Sequence, residues 1–447
     1  MFIAFQTYRS MLLSLQQTAS RCGESEPTRS SEVSSMKCRS CDSERTLSVL
    51  DLGSAPPGDR FLSPEEIHQP EMSYPLRIHV CEDCLLLQGP SYTPRDGSTP
   101  HHPRTDLSVR EPVTDRLLER TIHALRLGPD SLIFQVASSD GYLLRHAVEA
   151  GIPCLGIEPS ARAGTLARAG GVPTITAFLD EDLAEDLYQE YGPADLVVAD
   201  DIYSYVSDIP GFTRALRILV ADHGTVSMRI DHALPLIRNR RLHEFEHGRL
   251  QYYTLHTAMR ALAAGGLTVV EVKSEGRSGE SLRLLARPTE TSPYPGPRVE
   301  VVLQEEIDEG LHSKDEYLAL ESYARATRAE ILELLLGYRG QTVVGYASGW
   351  YSTLFNYCGI RPDIMRYTVD PDPRRHGSFT PITHVPVRSP TVIDHDRPDV
   401  LVALPWTRAP DPVHDLEHVV SWGGRLVLAC RSSRSASENA PVSRTHG

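Results

Sequence analysis

The chain is predicted to be α/β, with a small cysteine-stapled head, a central doubly wound parallel sheet and a second α/β unit behind it. Three observations predict this. Two C-x-x-C pairs, Cys38/Cys41 and Cys81/Cys84, stand near the N-terminus. From Ser131 to Pro159, two short apolar runs flank a stretch whose Leu143, Leu144 and Ala147 recur at helical spacing, the pattern of a βαβ unit. A similar alternation of apolar runs returns between Gln341 and Ala429.

At 447 residues, two or three domains are expected. Apolar content of 40% and charged content of 23% are those of a globular protein. A net charge of −14 excludes a general nucleic-acid binder, which needs a basic face to displace counterions. No segment approaches the roughly 20 apolar residues that cross a bilayer. Eight cysteines do not make a disulfide framework in a chain of this length, so cytoplasm is the expected location. Residues 1–35 read as a disordered leader: Arg9 interrupts the apolar start, and Arg21 to Ser35 is rich in Ser, Glu, Thr and Arg. Met36 is a second candidate start.

In the head, each C-x-x-C knuckle presents two thiolates to one side, and two knuckles complete a tetrahedral Zn²⁺ site. Cys38, Cys41, Cys81 and Cys84 would close it, leaving no open position, so the metal is expected to be structural. Two separate redox pairs, or chance, are the alternatives. Between the knuckles, Tyr74 to Val80 alternates like a strand.

In the central sheet, the Ala137–Gly141 turn is small enough for backbone to approach a ligand closely. The next strand, Cys154 to Ile157, ends on Glu158. A tight loop followed by an acid at the tip of the second strand is how such a sheet holds a ribose-bearing cofactor. The plainer alternative is an ordinary βαβ unit with a surface glutamate. Further strands are expected at Val172–Phe178, Asp195–Asp200, Gly224–Ile230 and Leu267–Lys273, with helices at Leu179–Tyr191, Phe212–Val220 and His256–Gly265. The proline-rich run Thr289 to Pro297 marks a boundary, and a long helix, Leu318 to Leu336, leads into the last unit.

The order of C-x-x-C, Leu52-Gly53 with Pro56-Pro57, Tyr74-Pro75-Leu76 and C-x-x-C resembles the zinc-binding head of the sugar C-methyltransferases of deoxysugar biosynthesis. The resemblance runs through nearly the whole chain from Met36. It implies a seven-stranded S-adenosylmethionine-dependent methyltransferase sheet with an antiparallel last hairpin, and a Rossmann-like C-terminal domain that helps hold a nucleotide-linked sugar. The family's Gly-Ser-Asn-Asp-Gly loop falls on Ala137, Ser138, Ser139, Asp140 and Gly141. Glu158 matches the residue that accepts from both ribose hydroxyls, and Asp201, also expected at the cofactor with the loop residues, opens a segment reading Asn-Val-Leu-Ala-His-Val in relatives. There the family's acid–base histidine falls on Tyr205.

The family's Tyr-His-Glu-His insertion supplies its base. Counted without gaps from Tyr252-Tyr253, those positions hold Glu246, His247, Gly248 and Arg249; a looser fit places Leu242 to Phe245 there. Either way His243, Glu244, Glu246 and His247 concentrate groups fit for proton transfer. His243 and His247 at i, i+4 would also suit a metal, and a solvated helix face is the plain alternative. His101-His102-Pro103-Arg104 stands where relatives carry a tyrosine- and serine-rich stretch, and Gly349-Trp350-Tyr351 where they carry a lysine. Arg374 and Arg375 could meet a diphosphate.

The expected domains are a zinc-binding head over 36–110, a methyltransferase-like domain over 111–290, a C-terminal substrate domain over 298–432 and a frayed tail over 433–447. Two functions follow. One is C-methyl transfer to a nucleotide-linked keto-deoxysugar, with S-adenosylmethionine as donor. The other keeps the scaffold but performs a proton shift, elimination or rearrangement. A scaffold without chemistry is a distant third.

Overall fold

The computed structural model describes residues 36–57, 61–91, 117–276, 279–346, 352–403 and 416–428. The expectations for the leader, His101, His102, Arg104, the Gly349–Tyr351 loop and the tail lie outside those residues.

The head contributes three strands, β1 (Thr46–Ala55), β2 (Tyr74–Cys81) and β3 (Leu87–Gln88). β1 and β2 pair antiparallel, and β2 alternates as expected, with Leu76, Ile78 and Val80 buried. The sheet is completed from elsewhere. Its fourth strand, β9 (Gln251–Tyr252), belongs to the insertion of the central domain and pairs with β3 through Leu87–Tyr252 and Gln88–Gln251.

A helix, α1 (Leu117–Leu125), leads into the central domain, whose strands are β4 (Ile133–Val136), β5 (Cys154–Ile157), β6 (Thr174–Ile175), β7 (Ala194–Val198), β8 (Val220–Asp231), β10 (Leu267–Glu275) and β11 (Ser281–Pro288). They lie in the order β10-β11-β8-β7-β4-β5-β6. β4 through β8 run parallel, and β11 is antiparallel to both its neighbours. This is the seven-stranded sheet with a reversed last hairpin that the family resemblance implies. Helices α2 (Leu144–Glu149), α3 (Ala161–Ala169), α4 (Glu181–Tyr191), α5 (Ile209–Leu219) and α7 (Leu255–Ala264) connect or cover the strands. Side chains set several starts. Ser160, Asp180 and Asp208 each accept from a backbone N–H in the first turn of α3, α4 and α5, and Thr254 with Thr257 forms a capping box at α7. A short helix, α6 (Ala233–Arg238), opens the insertion after β8.

The boundary after the sheet falls later than expected. Helix α8 (Pro297–Asp308) starts inside the proline-rich run, with proline in its first turn. It buries Val299 and Val302 in the central core and packs along β10 and α7. The third expected strand is also shorter, covering only Thr174–Ile175 as an edge.

The last unit follows helix α9 (Leu320–Leu336). It holds β12 (Val343–Tyr346), α10 (Ser352–Cys358), β13 (Tyr367–Val369), β14 (Val387–Arg388), β15 (Val400–Ala403) and β16 (Arg425–Leu428), an all-parallel sheet in the order β14-β13-β12-β15-β16. One apolar cluster joins this unit to the head and the insertion. It contains Leu76 and Ile78 from β2, Phe245 and Tyr252 from the insertion, and Leu354 and Phe355 from α10. No helix among the described residues is long and apolar enough to cross a membrane.

Candidate active site and structural metal centre

The four expected ligands converge. The Sγ atoms of Cys38, Cys41, Cys81 and Cys84 lie within 4.8 Å of one another, with Cys38–Cys84 at 3.5 Å and Cys41–Cys81 at 3.6 Å. Sulfurs each about 2.3 Å from a tetrahedral zinc would be about 3.8 Å apart. The donor set therefore fits Zn²⁺ with all four positions taken by thiolate. Knuckle residues also reach toward the insertion: the Arg39 guanidinium donates to the Leu250 carbonyl at 3.1 Å, and the Arg39 amide to Gln88 Oε1 at 3.2 Å.

Behind the head, the carboxyl edge of the central sheet carries the donor-type loop. The order of strands reverses between β4 and β7, which opens a crevice outside their carboxyl ends. The Ala137–Gly141 loop leaves β4 with φ of 53° at Ala137, 55° at Ser139 and 76° at Gly141. A Cβ on Gly141 would lie 2.9 Å from Val172 Cβ, so glycine is required there on two counts. Glu158 follows β5 and is buried; its carboxylate accepts from the Ser139 amide at 2.7 Å and the Ser160 amide at 2.8 Å. These bonds fix both oxygens beneath the loop and leave each with a further lone pair. Two more acceptors at this edge, Gln135 Oε1 and Ser138 Oγ, are buried without a partner among the described residues. The residues therefore fit an S-adenosyl ligand. Glu158 would take the ribose, and the 137–141 backbone with Gln135 would meet the amino-acid end.

Asp140 and Asp201 have other duties. Asp140 Oδ1 accepts from the Tyr142 amide, and Oδ2 pairs with Arg145 at 3.3 Å, which stabilises the turn. Asp201 was expected at the cofactor. Instead both its carboxylate oxygens accept from Arg229 Nε at 2.8 Å, and the ion pair is almost wholly buried. That carboxylate is committed to holding β8.

Ala137 carries a left-handed backbone on a residue with a Cβ, which costs about 1 kcal/mol. Ala137→Gly is expected to raise the unfolding free energy by about 1 kcal/mol in urea titration. An unchanged or lower midpoint would show that the alanine methyl contributes packing that outweighs the strain.

The insertion divides the expected base residues among three surroundings. His243 and Glu244 form a 3-10 turn (Leu242–Glu244) against α10, where Glu244 is bound to Arg241 at 2.6 Å and lies 4.0 Å from His243. The chain is extended at Phe245, so His243 and His247 do not share a helix face, and among the described residues only the four cysteines group as metal ligands. His247 is turned toward the head: its Nε2 donates to the Tyr74 carbonyl at 3.0 Å, and the ring meets Tyr74 edge-on. Burial lowers the His247 pKa, while the Tyr74 and Ala55 carbonyls oppose that. This geometry makes His247 a strut between the insertion and β1–β2, and argues against the expectation that it is one of the proton-transfer groups.

The third surrounding gathers Tyr205, Glu246, Arg249, Tyr252 and Asp231. Arg249 is buried, with Nη2 at 3.0 Å from Asp231 and 3.9 Å from Glu246, and its guanidinium lies 5.6 Å from the Tyr252 ring centre. Burial alone would lower the Arg249 pKa, but Asp231, Tyr205 and Glu246 push it well above the usual value. The Glu246 amide donates to the Tyr252 hydroxyl at 3.1 Å. Beside this cluster Arg283 joins Asp200 at 2.5 Å and Glu275 at 3.3 Å. Tyr205 and Glu246 were foreseen as proton-transfer groups; Asp231, Arg249 and Arg283 were not. The available signal was charge inside otherwise apolar strands, at Arg229 and Asp231 of β8 and Arg283 of β11.

Arg374 and Arg375, expected at a diphosphate, are bound within their own turn. Arg374 pairs with Asp372 at 2.6 Å, and Arg375 with Asp370 at 3.0 Å and Asp372 at 3.8 Å.

Comparison with known proteins agrees with this layout. Residues 277–430 match the family described as the C-methyltransferase C-terminal domain, and residues 38–97 match a zinc binding domain family. The C-methyltransferase NovU of Streptomyces niveus is 24% identical over 411 residues, which span 91% of this chain and 98% of that protein. Among solved structures, an S-adenosylmethionine dependent methyltransferase from Mesorhizobium loti is 18% identical, covering 39% of this chain and 99% of its own, with a TM-score of 0.31. The magnesium protoporphyrin IX methyltransferase of Synechocystis PCC 6803, solved with bound SAH, is 15% identical over 39% of this chain and 81% of its own, with a TM-score of 0.32. A zinc-binding head, a seven-stranded α/β sheet and the matched C-terminal domain thus stand in one chain, which is similar to a C-methyltransferase along nearly its whole length.

Proposed function

We propose that the enzyme transfers a methyl group from S-adenosylmethionine to a carbon beside the ketone of a nucleotide-linked keto-deoxysugar, in natural-product biosynthesis in the cytoplasm. One observation carries the reading. Glu158 is bound beneath the 137–141 loop after β4, and the buried cluster of Glu246 and Arg249 is tied through Asp231 to the carboxyl end of β8 in the same sheet, which supports this reading. The residues divide the work. Glu158 and the 137–141 loop would bind and orient the donor, whose sulfonium methyl is the group transferred. Glu246 is the proposed proton acceptor, with Tyr205 in the same cluster around Arg249. Burial of the cluster excludes bulk water, so charge developing there meets fixed dipoles. The sugar would be gripped from the side of the last domain, as the full-length likeness to a C-methyltransferase suggests.

Calorimetry with S-adenosylmethionine and S-adenosylhomocysteine tests the donor half. Binding in the micromolar range is expected for the wild type, and a loss of about a hundredfold or more for Glu158→Ala, the scale of two charge-assisted hydrogen bonds. Absence of binding at millimolar donor would sink the proposal.

A further inference from the structure

Arg249 is only 3% exposed, yet its bonding is incomplete. Nη2 meets Asp231, while Nε and Nη1 have no hydrogen-bond partner among the described residues. A guanidinium taken out of water with two idle donors is costly, and it persists where those donors have a task. An arginine does not release a proton in a protein, so proton abstraction cannot rest on this residue. A fixed planar cation is instead suited to holding an anionic oxygen.

We infer that Arg249 is a catalytic residue that holds the oxyanion, with Nε and Nη1 donating to the substrate carbonyl oxygen as it becomes an enolate. The inference rests on the keto-sugar reading above. In the step it serves, the C–H bond beside the ketone breaks and its electron pair forms a C=C bond. The π pair of the C=O bond moves onto oxygen, beside Arg249. The proton passes to the Glu246 carboxylate, 3.9 Å from the same guanidinium. Charge moves from Glu246 to the enolate oxygen, and Arg249 lies against both. Asp231 keeps the guanidinium plane in place throughout.

Deuterium wash-in tests this without methyl transfer. The full-length enzyme is incubated in D2O with a nucleoside diphosphate 4-keto-deoxyhexose, and exchange beside the ketone is followed by NMR. Arg249→Lys keeps a cation for Asp231 but loses the fork; it is expected to exchange about 10²–10³-fold more slowly than wild type. Its Kd for the probe should stay within about threefold, because the lost interaction forms only as charge develops. Arg249→Gln should lose at least as much, and the thermal midpoint of each variant reports folding. Exchange at the wild-type rate in either folded variant overturns the inference. So does a Kd that rises in step with the lost rate. A wild-type enzyme that neither binds nor exchanges the probe defeats the keto-sugar reading, and oxalate, a planar anion resembling an enediolate, then decides the role of Arg249. Oxalate binding that disappears in Arg249→Gln supports an anion-holding arginine, whereas binding that is equal in both proteins, or absent from both, overturns it.

Discussion

Cys84→Ala is expected to abolish zinc binding and to leave little soluble protein. Cys84 is buried and stands opposite Cys38 in the cluster, so its loss opens the tetrahedron and exposes the remaining thiols. A structural zinc contributes on the order of 10 kcal/mol to the fold it closes, more than the whole net stability of many domains. The damage should extend past the head. β9 hangs on β3, and Arg39 of the first knuckle holds the Leu250 carbonyl, so the segment bearing Glu246 and Arg249 loses its outer support. Metal analysis should return one zinc per wild-type chain and almost none for the variant. Hydrogen exchange on chelator-treated wild type should show protection lost over residues 245–252 together with the head. Protection that survives there after zinc removal would show that the insertion is held by the central sheet alone.

Glu306→Ala is the second large effect, expected to destabilise the enzyme by about 3–5 kcal/mol. Glu306 is fully buried on α8, and its carboxylate accepts from three directions. His232 Nε2 lies at 2.8 Å, the Leu255 amide at 2.5 Å and the His256 amide at 3.0 Å, so one side chain caps the start of α7 and ties it to the end of β8. His312 approaches at 3.6 Å, its ring centre 4.5 Å from that of His256. Burial pulls the Glu306 carboxyl upward, but the hydrogen bonds from His232 and His312 outweigh it and bring the pKa down to about 2. Burial first, and then His312, lower His256 from 6.5 to about 4. Both depressions act in the same direction. Between pH 6.5 and 4 the unfolded chain protonates His256 more readily than the folded one, which removes on the order of 3 kcal/mol as the pH falls. The Glu306 contribution, complete above pH 4.5, is lost as the pH falls toward 2. Urea titrations at pH 7 and pH 5 should show the wild type weakening; a stability that holds or grows toward pH 5 would contradict this linkage.

Glu306 also shows where the sequence stopped being legible. The run from Thr289 to Pro297 was read as a boundary because prolines punctuate, yet Pro297 sits where proline starts a helix well. Val299, Val302 and Glu306 then carry a buried face that only the finished fold reveals. The zinc ligands were readable because a tetrahedral site leaves a spacing rule in the chain. Glu158 was readable because it closes an apolar strand, and the seven-stranded sheet with its reversed hairpin was implied by the family resemblance. The base was not readable in this way. Residues 243–247 are adjacent in sequence, but an extended link at Phe245 and the pull of three separate surfaces send His243, His247 and Glu246 to different neighbours. Arg249 stayed hidden because its partner Asp231 lies on β8, across a loop and a short helix.

Because the edge of the head is finished by two residues from the far side of the nucleoside-type loop, the order of synthesis matters. A nascent chain that has emerged as far as Gln88 can bind zinc, yet its third strand must wait, unpaired, until Gln251 and Tyr252 leave the ribosome. An exposed strand edge in that interval is open to pairing with another chain. Chaperone dependence and aggregation during overexpression should therefore centre on this waiting edge.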